Sequence, residues 1–589
     1  MTLPALAVRL RPRGFAPTPA DIALKRVQQT QAVKELWIVI ASVVGFLFVV
    51  RVLRYACSRL FGRRPSNTGK VSWRRIPAAA AATFRIVAFR LAFTWGYIGT
   101  ILGLTFVDTK DLTTWFYEDR AAHLASCQLP LIVALAGKNN IISWITGIGH
   151  EKLNVLHRAA ARTCLLLLWL HALNRALGGC DLSDSLQAAS TDVEPASPGS
   201  SALNRMCGCT GSGRMTAFTL ATILSLRFIR NAFFEYFLIS HIVLVGLFII
   251  SGYLHARAVE YGDYFWPALV VWAFDRLLRA SRLVWNNRAR RGTHEYGSAL
   301  VELISPDTIR LTLRRKMTWR AGQHAYRPPT EAHPFSIASI PHALDGAHDG
   351  GERDVVFLVR GRSGFTGRLR EFATRNHGTT RVPALIDGPY GCPPNLMRFS
   401  TCVLIAGGSG VSYTLPLLLD IVRNVRDGKS LVRRVIFVWA VRQSEHLDWI
   451  SKTLNEALAV AQPTSLVVEP TVYVTGPSCT MPTIARTPYM PNMSPASDSG
   501  STKSLEASID KTLPSYSSLK VIHGRPSIRR VLQDGINCSA GPVSVDVSGP
   551  TALTQSVCYA LSTDIASPAS ILKGSQPVTL HVETFGMSK

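Results

Sequence analysis

Long apolar windows in the first half of the sequence constrain the fold more than any other feature. Seven windows of about twenty mainly apolar residues, the length that crosses a bilayer, end before residue 285. Apolar residues make up 47% of the 589-residue chain, and they are concentrated in these windows. We therefore predict an α-helical membrane domain joined to a soluble module. The windows are 36–55, 82–106, 123–147, 153–175, 214–231, 233–255 and 265–284.

The charges between the windows predict the orientation of the membrane domain. Basic stretches follow the first and the last window, at 51–75 and 276–291. The positive-inside rule places both in the cytoplasm. The acidic segment 108–120 and the loop 177–213 then lie outside, and the chain from about residue 285 is cytosolic. Three cysteines lie in the predicted outer loop, and they are equally compatible with a disulfide and with free thiols. They are Cys180, Cys207 and Cys209.

The overall charge could suggest a nucleic-acid partner, since the formal net charge is +26. However, the basic residues flank apolar windows, lack interleaved aromatic residues and form no recognisable DNA- or RNA-binding motif. We therefore expect a lipid bilayer as the partner and no nucleic acid. The eleven cysteines contain no CxxC pair, which disfavours a zinc site or a thioredoxin-type centre.

Two windows carry histidines at the same spacing. His157 and His171 are fourteen residues apart in the fourth window, and His241 and His255 are fourteen apart in the sixth. Fourteen helical residues turn through about 1400°, close to four full turns, and rise by about 21 Å. Each pair therefore shares one helix face, with one ring near each side of the bilayer. Because one window separates them, the two helices run in the same direction, so His157 matches His241 and His171 matches His255.

Two facing imidazoles at each level are the axial ligands that a haem iron takes. For a single intramembrane histidine, a hydrogen-bonding or interfacial role is an equal alternative. Zinc is the alternative metal, but paired histidines without thiolate or carboxylate neighbours suit electron transfer better. The four histidines thus predict two b-type haems, an inner one and an outer one.

The second half of the sequence changes to short alternating strands near residue 295 and then carries a series of short motifs. The motifs are HPFS (333–336), GFT (364–366), DGPYG (387–391), GGSG (407–410), WAVR (439–442), SGP (548–550) and ETF (583–585). Their order and spacing, behind the histidine pairs, resemble the ferric reductase family of fungal plasma membranes and the superfamily that includes the NADPH oxidases.

This resemblance implies the fold class and the domains. The fold would be an α-helical transmembrane haem bundle of about seven spans plus a cytosolic ferredoxin-reductase-like module, made of a β-barrel FAD domain and an α/β nucleotide-binding domain. The Ser- and Pro-rich segment 477–518 reads as a disordered insertion. The domains are 1–117 (tail and first two spans), 118–284 (haem domain), 285–395 (FAD domain) and 396–589 (NADPH domain).

The resemblance also implies cofactor contacts in the soluble module. In the flavin signature, serine replaces the usual threonine and keeps the hydroxyl group. A glycine at the second FAD contact allows close approach to a pyrophosphate. Phe585 would be the terminal aromatic that stacks on the flavin. The implied FAD contacts are His333, Pro334, Phe335, Ser336, Gly364, Phe365, Thr366 and Phe585.

The implied NADPH contacts follow a strand, glycine turn and helix at 401–422, which present backbone N–H groups to a phosphate. Either of two arginines after later strands could meet the 2′-phosphate, with a plain surface charge as the alternative. Ser548 stands where the family usually has cysteine near the nicotinamide, a change expected to slow hydride transfer. The contacts are Gly407, Gly408, Ser409, Gly410, Arg442, Arg525, Ser548, Gly549 and Pro550.

The resemblance implies an NADPH-dependent ferric-chelate reductase. Electrons would pass from NADPH through FAD and two haem b groups to ferric or cupric chelates outside, in support of iron uptake beside an iron permease/oxidase system. No catalytic acid, base or nucleophile is required. The expected location is the plasma membrane, with a vacuolar or other internal membrane as the alternative. The alternative functions are a superoxide-producing NADPH oxidase and a non-enzymatic haem-binding or transport protein.

Overall fold

The computed structural model describes most of the chain, and it divides into two compact units with the boundary between Val284 and Trp285. The unit before the boundary is called the helical unit below, and the unit after it the soluble unit. The described residues are 18–61, 88–107, 114–189, 215–257, 262–287, 297–326, 334–342, 352–362, 364–476, 519–565 and 576–583.

The helical unit is built from α-helices. Their bounds are α1 (Pro19–Phe61), α2 (Ala88–Phe106), α3 (Thr114–Cys127), α4 (Leu129–Ala136), α5 (Ile141–Thr146), α6 (His150–Ala189), α7 (Met215–Leu224), α8 (Arg227–Ala232), α9 (Phe234–Arg257) and α10 (Trp266–Asn286).

The expected count of seven spans is not confirmed. Within the described residues, two helices are long and apolar enough to cross a membrane, Pro19–Leu53 and Tyr236–Arg257. The window 123–147 is not one continuous helix, because a new helix begins at Leu129 with Pro130 in its first turn, and it ends at Gly137. The window 214–231 likewise breaks at 225–226, and the acidic segment expected as a loop over 108–120 becomes helical at Thr114.

The core of the helical unit lies where α1, α3, α6 and α9 contribute buried apolar residues, among them Leu36, Leu124, Leu168 and Phe248. Other large apolar side chains of the same helices remain exposed. Examples are Ile38, Phe46, Ile239 and Leu247. Helices that are apolar both inside and outside are what a lipid environment requires.

The first half of the soluble unit consists of two antiparallel sheets around one apolar core. One sheet has the order β5-β2-β1-β6 and the other β4-β3-β7. The alternating burial along β1 and β2 places Val301, Ile309 and Leu311 in this core. The strands are β1 (Ser298–Ser305), β2 (Thr308–Arg315), β3 (His324–Tyr326), β4 (Pro334–Ser336), β5 (Arg353–Arg360), β6 (Thr379–Pro383) and β7 (Asp387–Tyr390), and one helix, α11 (Gly364–Arg375), follows β5.

The second half is an open parallel sheet with the strand order β11-β10-β9-β8-β12-β13. The order reverses between β8 and β12, and ligands of such sheets bind at this switch point. Every residue of β8 is buried, as expected for a central strand covered on both faces. The elements are β8 (Thr401–Gly407), α12 (Val411–Arg426), β9 (Arg434–Val441), α13 (Ser451–Ala461), β10 (Val467–Val474), β11 (Lys520–His523), α14 (Ile528–Asn537), β12 (Val543–Ser548), α15 (Thr551–Ala560) and β13 (Val578–Glu583).

Candidate functional site

The four histidines of the helical unit lie on two helices, His157 and His171 on α6 and His241 and His255 on α9. On α6 both rings are held through Nδ1 by backbone carbonyls of other helices. The Nδ1 of His157 lies 2.8 Å from the carbonyl oxygen of Ile132, and that of His171 lies 3.1 Å from the carbonyl oxygen of Glu118. A carbonyl oxygen only accepts, so each Nδ1 must be the donor.

This hydrogen bonding fixes the tautomer of both rings. With the proton on Nδ1, the lone pair of each ring is on Nε2, which is the nitrogen that a neutral histidine offers to a metal. His157 also lies close enough to His241 for the two rings to interact electrostatically. No group of three or more His, Cys, Asp or Glu side chains suited to a metal occurs in the described ranges. The free Nε2 of a neutral imidazole is a donor of the kind that an axial position of a haem iron takes.

The surroundings of His171 are ionic. The Nδ1 of His171 lies 3.7 Å from Oδ1 of Asp119, a carboxylate that also receives Nζ of Lys25 at 2.7 Å and Nη2 of Arg175 at 2.8 Å. Glu118 lies 3.7 Å from each of the same two cations. The ionic contacts of these five residues were not identified from the sequence, because Lys25 is 94 positions from Asp119 along the chain.

The strand with most of the HPFS motif is held in the three-stranded sheet of the first half of the soluble unit. On β4, Ser336 pairs with His324 of β3, which pairs in turn with Tyr390 of the DGPYG segment. The rings of Tyr326 and Tyr390 meet edge to face at 5.6 Å beside this pairing. The Oγ of Ser336 is buried and has no hydrogen-bond partner among the described residues. A buried hydroxyl of this kind fits a ligand with polar atoms.

The GFT motif begins a helix, which the sequence did not predict. Gly364 has φ +59° and opens α11, with Phe365 and Thr366 in its first turn. That turn contains no acidic residue, and there is free space where a side chain of Gly364 would lie. The amino terminus of a helix with such a glycine suits a pyrophosphate.

The glycine turn after β8 packs against the turn after β12. A Cβ on Gly410 would lie 2.2 Å from the carbonyl oxygen of Ser548, and one on Gly407 would lie 2.7 Å from Cδ of Pro550. Gly549, with φ +154°, approaches Gly407 in the same way. Two glycine turns in contact at the switch point of the sheet leave the amino end of α12 beside them, the arrangement that binds a dinucleotide phosphate.

Gly408 and Ser409 lie between the two glycines that contact the β12 turn. Gly408 has φ +54° and free space around its Cα, and Ser409 accepts a hydrogen bond from the hydroxyl of Ser412 at 2.8 Å. The indole of Trp439 donates to the carbonyl of Gly408 at 2.9 Å. Trp439 is fully buried, so the turn has a rigid support that the sequence did not reveal.

The two arginines expected near the 2′-phosphate follow neighbouring parallel strands. Arg442 comes directly after β9, and Arg525 lies two residues beyond β11. The end of β10, which lies between β9 and β11 in the sheet, is hydrogen-bonded to the ends of both neighbours. The N–H of Gly476 donates to the carbonyl of Arg442 at 3.0 Å, and the N–H of Gly524 donates to the carbonyl of Val474 at 2.8 Å. Both arginine side chains are exposed. They therefore lie at the same edge of the sheet as the glycine turn.

Ser548 ends β12, and its side chain is buried with no hydrogen-bond partner for Oγ within the described part of the chain. Two residues earlier, Asp546 is fully buried and receives the hydroxyl groups of Ser544 at 2.8 Å and Tyr413 at 3.4 Å. Complete burial raises the pKa of Asp546 to about 6, against the lowering effect of nearby His581. The carboxyl group of Asp546, on the strand that leads into the β12 turn, was also not identified from the sequence.

Three sets of predicted residues lie outside the described residues. They are His333 of the flavin signature, Phe585 of the terminal motif, and the segment 477–518. The side chain of Cys180, with Cys207 and Cys209, is also outside, so the outer-loop disulfide stays a prediction.

Family models match three consecutive parts of the chain. Residues 121–252 match a model described as a ferric reductase like transmembrane component. Residues 295–394 match a FAD-binding domain. Residues 399–560 match a ferric reductase NAD binding domain. The order is the one that the motifs predicted.

Curated fungal proteins are similar to the same regions. A probable cell surface ferric reductase of Aspergillus oryzae is 29% identical over 357 residues, which are 59% of this chain and 46% of that protein. A ferric/cupric reductase transmembrane component of Candida albicans is 26% identical over 463 residues, 76% of this chain and 55% of that protein. The chain thus spans about half the length of the curated relatives it matches.

Among solved structures, a flavohemoglobin of Malassezia yamatoensis aligns with 79% of this chain and 96% of its own, at 12% identity and a TM-score of 0.34. A cytochrome P450 reductase of Amycolatopsis aligns with 49% of this chain and 70% of its own, at 15% identity and a TM-score of 0.30.

Proposed function

The chain belongs to the ferric reductase superfamily, and from this membership we propose that it carries electrons across a membrane from cytosolic NADPH to a metal chelate outside. FAD and two b-type haems would be its cofactors. When bound, these groups supply the chemistry that converts a two-electron hydride donor into single electrons for a metal ion. The chain supplies binding, orientation and the distance between the groups.

The observation that carries the proposal is the tautomer of the α6 histidines. The Nδ1–H groups of His157 and His171 both donate to backbone carbonyls of neighbouring helices. Each Nε2 is therefore left with a lone pair, at two heights about 21 Å apart on one helix. His241 and His255, at the same spacing on α9, would supply the second ligand at each height. Residues that only packed in a membrane core would have no need of this matched arrangement.

The soluble unit supports the cytosolic part of the proposal. Ser336, with its buried hydroxyl, would meet the flavin, and the first turn of α11 would hold its pyrophosphate. The glycine turn 407–410 would hold the pyrophosphate of the nicotinamide cofactor. Arg442 and Arg525 favour NADPH over NADH, because a 2′-phosphate needs a cation at this edge of the sheet.

Ferric or cupric chelates are proposed as the acceptors because the relatives are named for ferric and cupric reduction. The protein would then support iron uptake from the plasma membrane, beside an iron permease and oxidase. The second candidate, an oxidase that reduces dioxygen, would use the same cofactors and differ only in the acceptor. The relatives' names favour the metal chelate.

The test uses the purified full chain in detergent. Pyridine haemochrome analysis should give about two haems per polypeptide, and the spectrum should be that of bis-histidine haem. NADPH oxidation should be fast with a ferric chelate under anaerobic conditions and slow with dioxygen alone. One haem or none would contradict the double histidine site, and superoxide as the main product would favour the oxidase.

A further inference from the structure

The two histidines of α6 have different surroundings. His157 is held by the carbonyl oxygen of Ile132 at 2.8 Å, and the described part of the chain places no carboxylate against its ring. His171 is held by a carbonyl oxygen and faces the carboxylate of Asp119, with Nδ1 to Oδ1 at 3.7 Å. Two histidines expected to play the same chemical role therefore differ by one ionic partner.

The carboxylate of Asp119 is itself held in place by Lys25. The ammonium of Lys25 lies 2.7 Å from Asp119 and 4.2 Å from the centre of the Trp115 ring. Its side chain is only 9% exposed, and it comes from α1, whereas Asp119 belongs to α3. A buried ammonium that contacts both a carboxylate and an aromatic face has little freedom to move away. The distance between the carboxylate and the ring of His171 is thus set by another helix.

Resting on the proposed function, we propose that Asp119 and Lys25 are positioning residues that set the reduction potential of the outer haem through His171. A carboxylate beside the Nδ1–H of a ligand imidazole makes the ligand more basic and stabilises the ferric state. The ammonium of Lys25 opposes this effect, since it cancels the negative charge at short range. The outer potential would depend on the balance of this pair, and the inner potential would not.

The physical reason for such a pair lies in the direction of electron flow. The outer haem has to accept an electron from the inner one, and an unbalanced carboxylate at His171 would oppose that step. Arg175 adds a second cation, 2.8 Å from Oδ1 of Asp119, the oxygen that also faces His171, whereas Lys25 contacts Oδ2. The side chain of Arg175 is, however, 59% exposed. Water screens an exposed guanidinium more than a buried ammonium, so Lys25 is the more effective of the two.

The experiment measures both haem potentials by spectroscopic redox titration of the full chain. Lys25→Gln should make the outer haem harder to reduce, with about a tenfold higher ferric-to-ferrous ratio at a fixed potential, equal to 59 mV for a one-electron couple. Asp119→Asn should shift the same haem in the opposite direction. The double variant should return close to wild type, since it removes one charge of each sign. A His241→Ala protein lacks a ligand of the inner haem, so the redox transition that remains in its titration is assigned to the outer haem.

Two further variants serve as controls. Arg26→Gln removes the same charge from the next residue of α1, an exposed one, and should leave both potentials unchanged. Lys25→Arg keeps the charge and should preserve the wild-type outer potential. If Lys25→Gln binds two haems and titrates like Arg26→Gln, the inference is wrong while the proposed function stands. If the wild-type protein binds no haem, the proposed function itself fails.

Discussion

The candidate sites of the helical unit and the soluble unit use different kinds of chemical group, side chains in the first and mainly backbone in the second. In the helical unit the candidate groups are side chains, the imidazoles of His157 and His171, and neighbouring carbonyls fix their orientation. In the soluble unit much of the candidate site is backbone, the turns at 407–410 and 548–550, which pack with no room for a Cβ at Gly407 or Gly410. The candidate site of the helical unit thus depends on which side chains are present, and that of the soluble unit depends on the absence of a side chain at its glycines.

This difference predicts how each unit responds to substitution. Removing an imidazole leaves a helix intact but takes away a ligand, so binding is lost with little change of fold. Adding a side chain to a glycine turn removes no functional group but displaces the backbone that would hold a phosphate.

The largest effect is expected for His171→Ala. Reduction of a membrane-impermeant ferric chelate should fall to background, because the remaining ligand level at His157 lies about 21 Å away along α6. NADPH-dependent reduction of a soluble dye at the cytosolic side should continue, because the soluble unit is unchanged. Rates with the two acceptors measure both.

Leu173→Ala is the matched control, since Leu173 lies on the same helix with a side chain that is 56% exposed. It should keep both rates. External reduction by His171→Ala at a near wild-type rate would show that this histidine is structural.

The next effect tests the backbone side of the comparison. Gly408→Val should raise the KM for NADPH by about tenfold, because a branched side chain in the turn blocks the approach of a phosphate. Gly428→Val is matched to it, since φ is +54° at Gly408 and +67° at Gly428, and both have free space for a Cβ. The backbone strain is therefore similar, but Gly428 follows the far end of α12.

Steady-state kinetics with a soluble dye compares the two variants. An equal rise of KM in both would mean that strain alone causes the effect, and the assignment of the phosphate turn would fail.

A smaller effect is expected in the flavin half. Ser336→Ala should weaken FAD binding by about five- to tenfold, the loss of one hydrogen bond, because Oγ has no partner within the described residues. Ser339→Ala is the control, since its hydroxyl already donates to the carbonyl of Asp354 at 2.8 Å. FAD content after dialysis should fall for Ser336→Ala alone, and equal retention in both would remove Ser336 from the site.

The smallest effect concerns the buried carboxyl group of Asp546. Its pKa of about 6 lies above the ordinary value of 3.8, because complete burial disfavours the charged form. The neutral form therefore stabilises the fold at low pH, and this contribution is lost as the pH rises through about 6. Between about pH 5 and pH 7.5 the loss should be about 1 kcal/mol.

Asp546→Asn should remove this part of the pH dependence. Thermal unfolding of the full chain at both pH values, followed by tryptophan fluorescence, measures the difference between wild type and variant. An unchanged pH dependence in the variant would show that Asp546 does not titrate in this range.

The sequence predicted features that depend on regular spacing. The fourteen-residue histidine pairs, the strand, turn and helix at 401–422, and the strands from about residue 295 follow from the periods of helices and strands. The break at Pro130 was missed because a window average of hydropathy is insensitive to one proline.

The contacts between distant segments could not be predicted. Nothing local to Trp439 indicates that its indole supports Gly408, 31 positions away. The helix that starts at Gly364 was missed because GFT, taken as an isolated tripeptide with a glycine at its start, is typical of an ordinary turn. The pairing of Lys25 with Asp119 depends on how α1 and α3 pack, and that information is spread over many residues.

The ends of α1 have a consequence for the synthesis of the protein. Near its start Gln28 accepts a hydrogen bond from Arg120, 92 residues later, and near its end Arg51 donates to the carbonyl of Ile145, 94 residues later. A ribosome adds about 5 to 20 residues per second, so these partners are synthesised about 5 to 20 seconds after the residues of α1 that they contact. During that time the polar side chains of Lys25 and Gln28 depend on water, lipid headgroups or the insertion machinery.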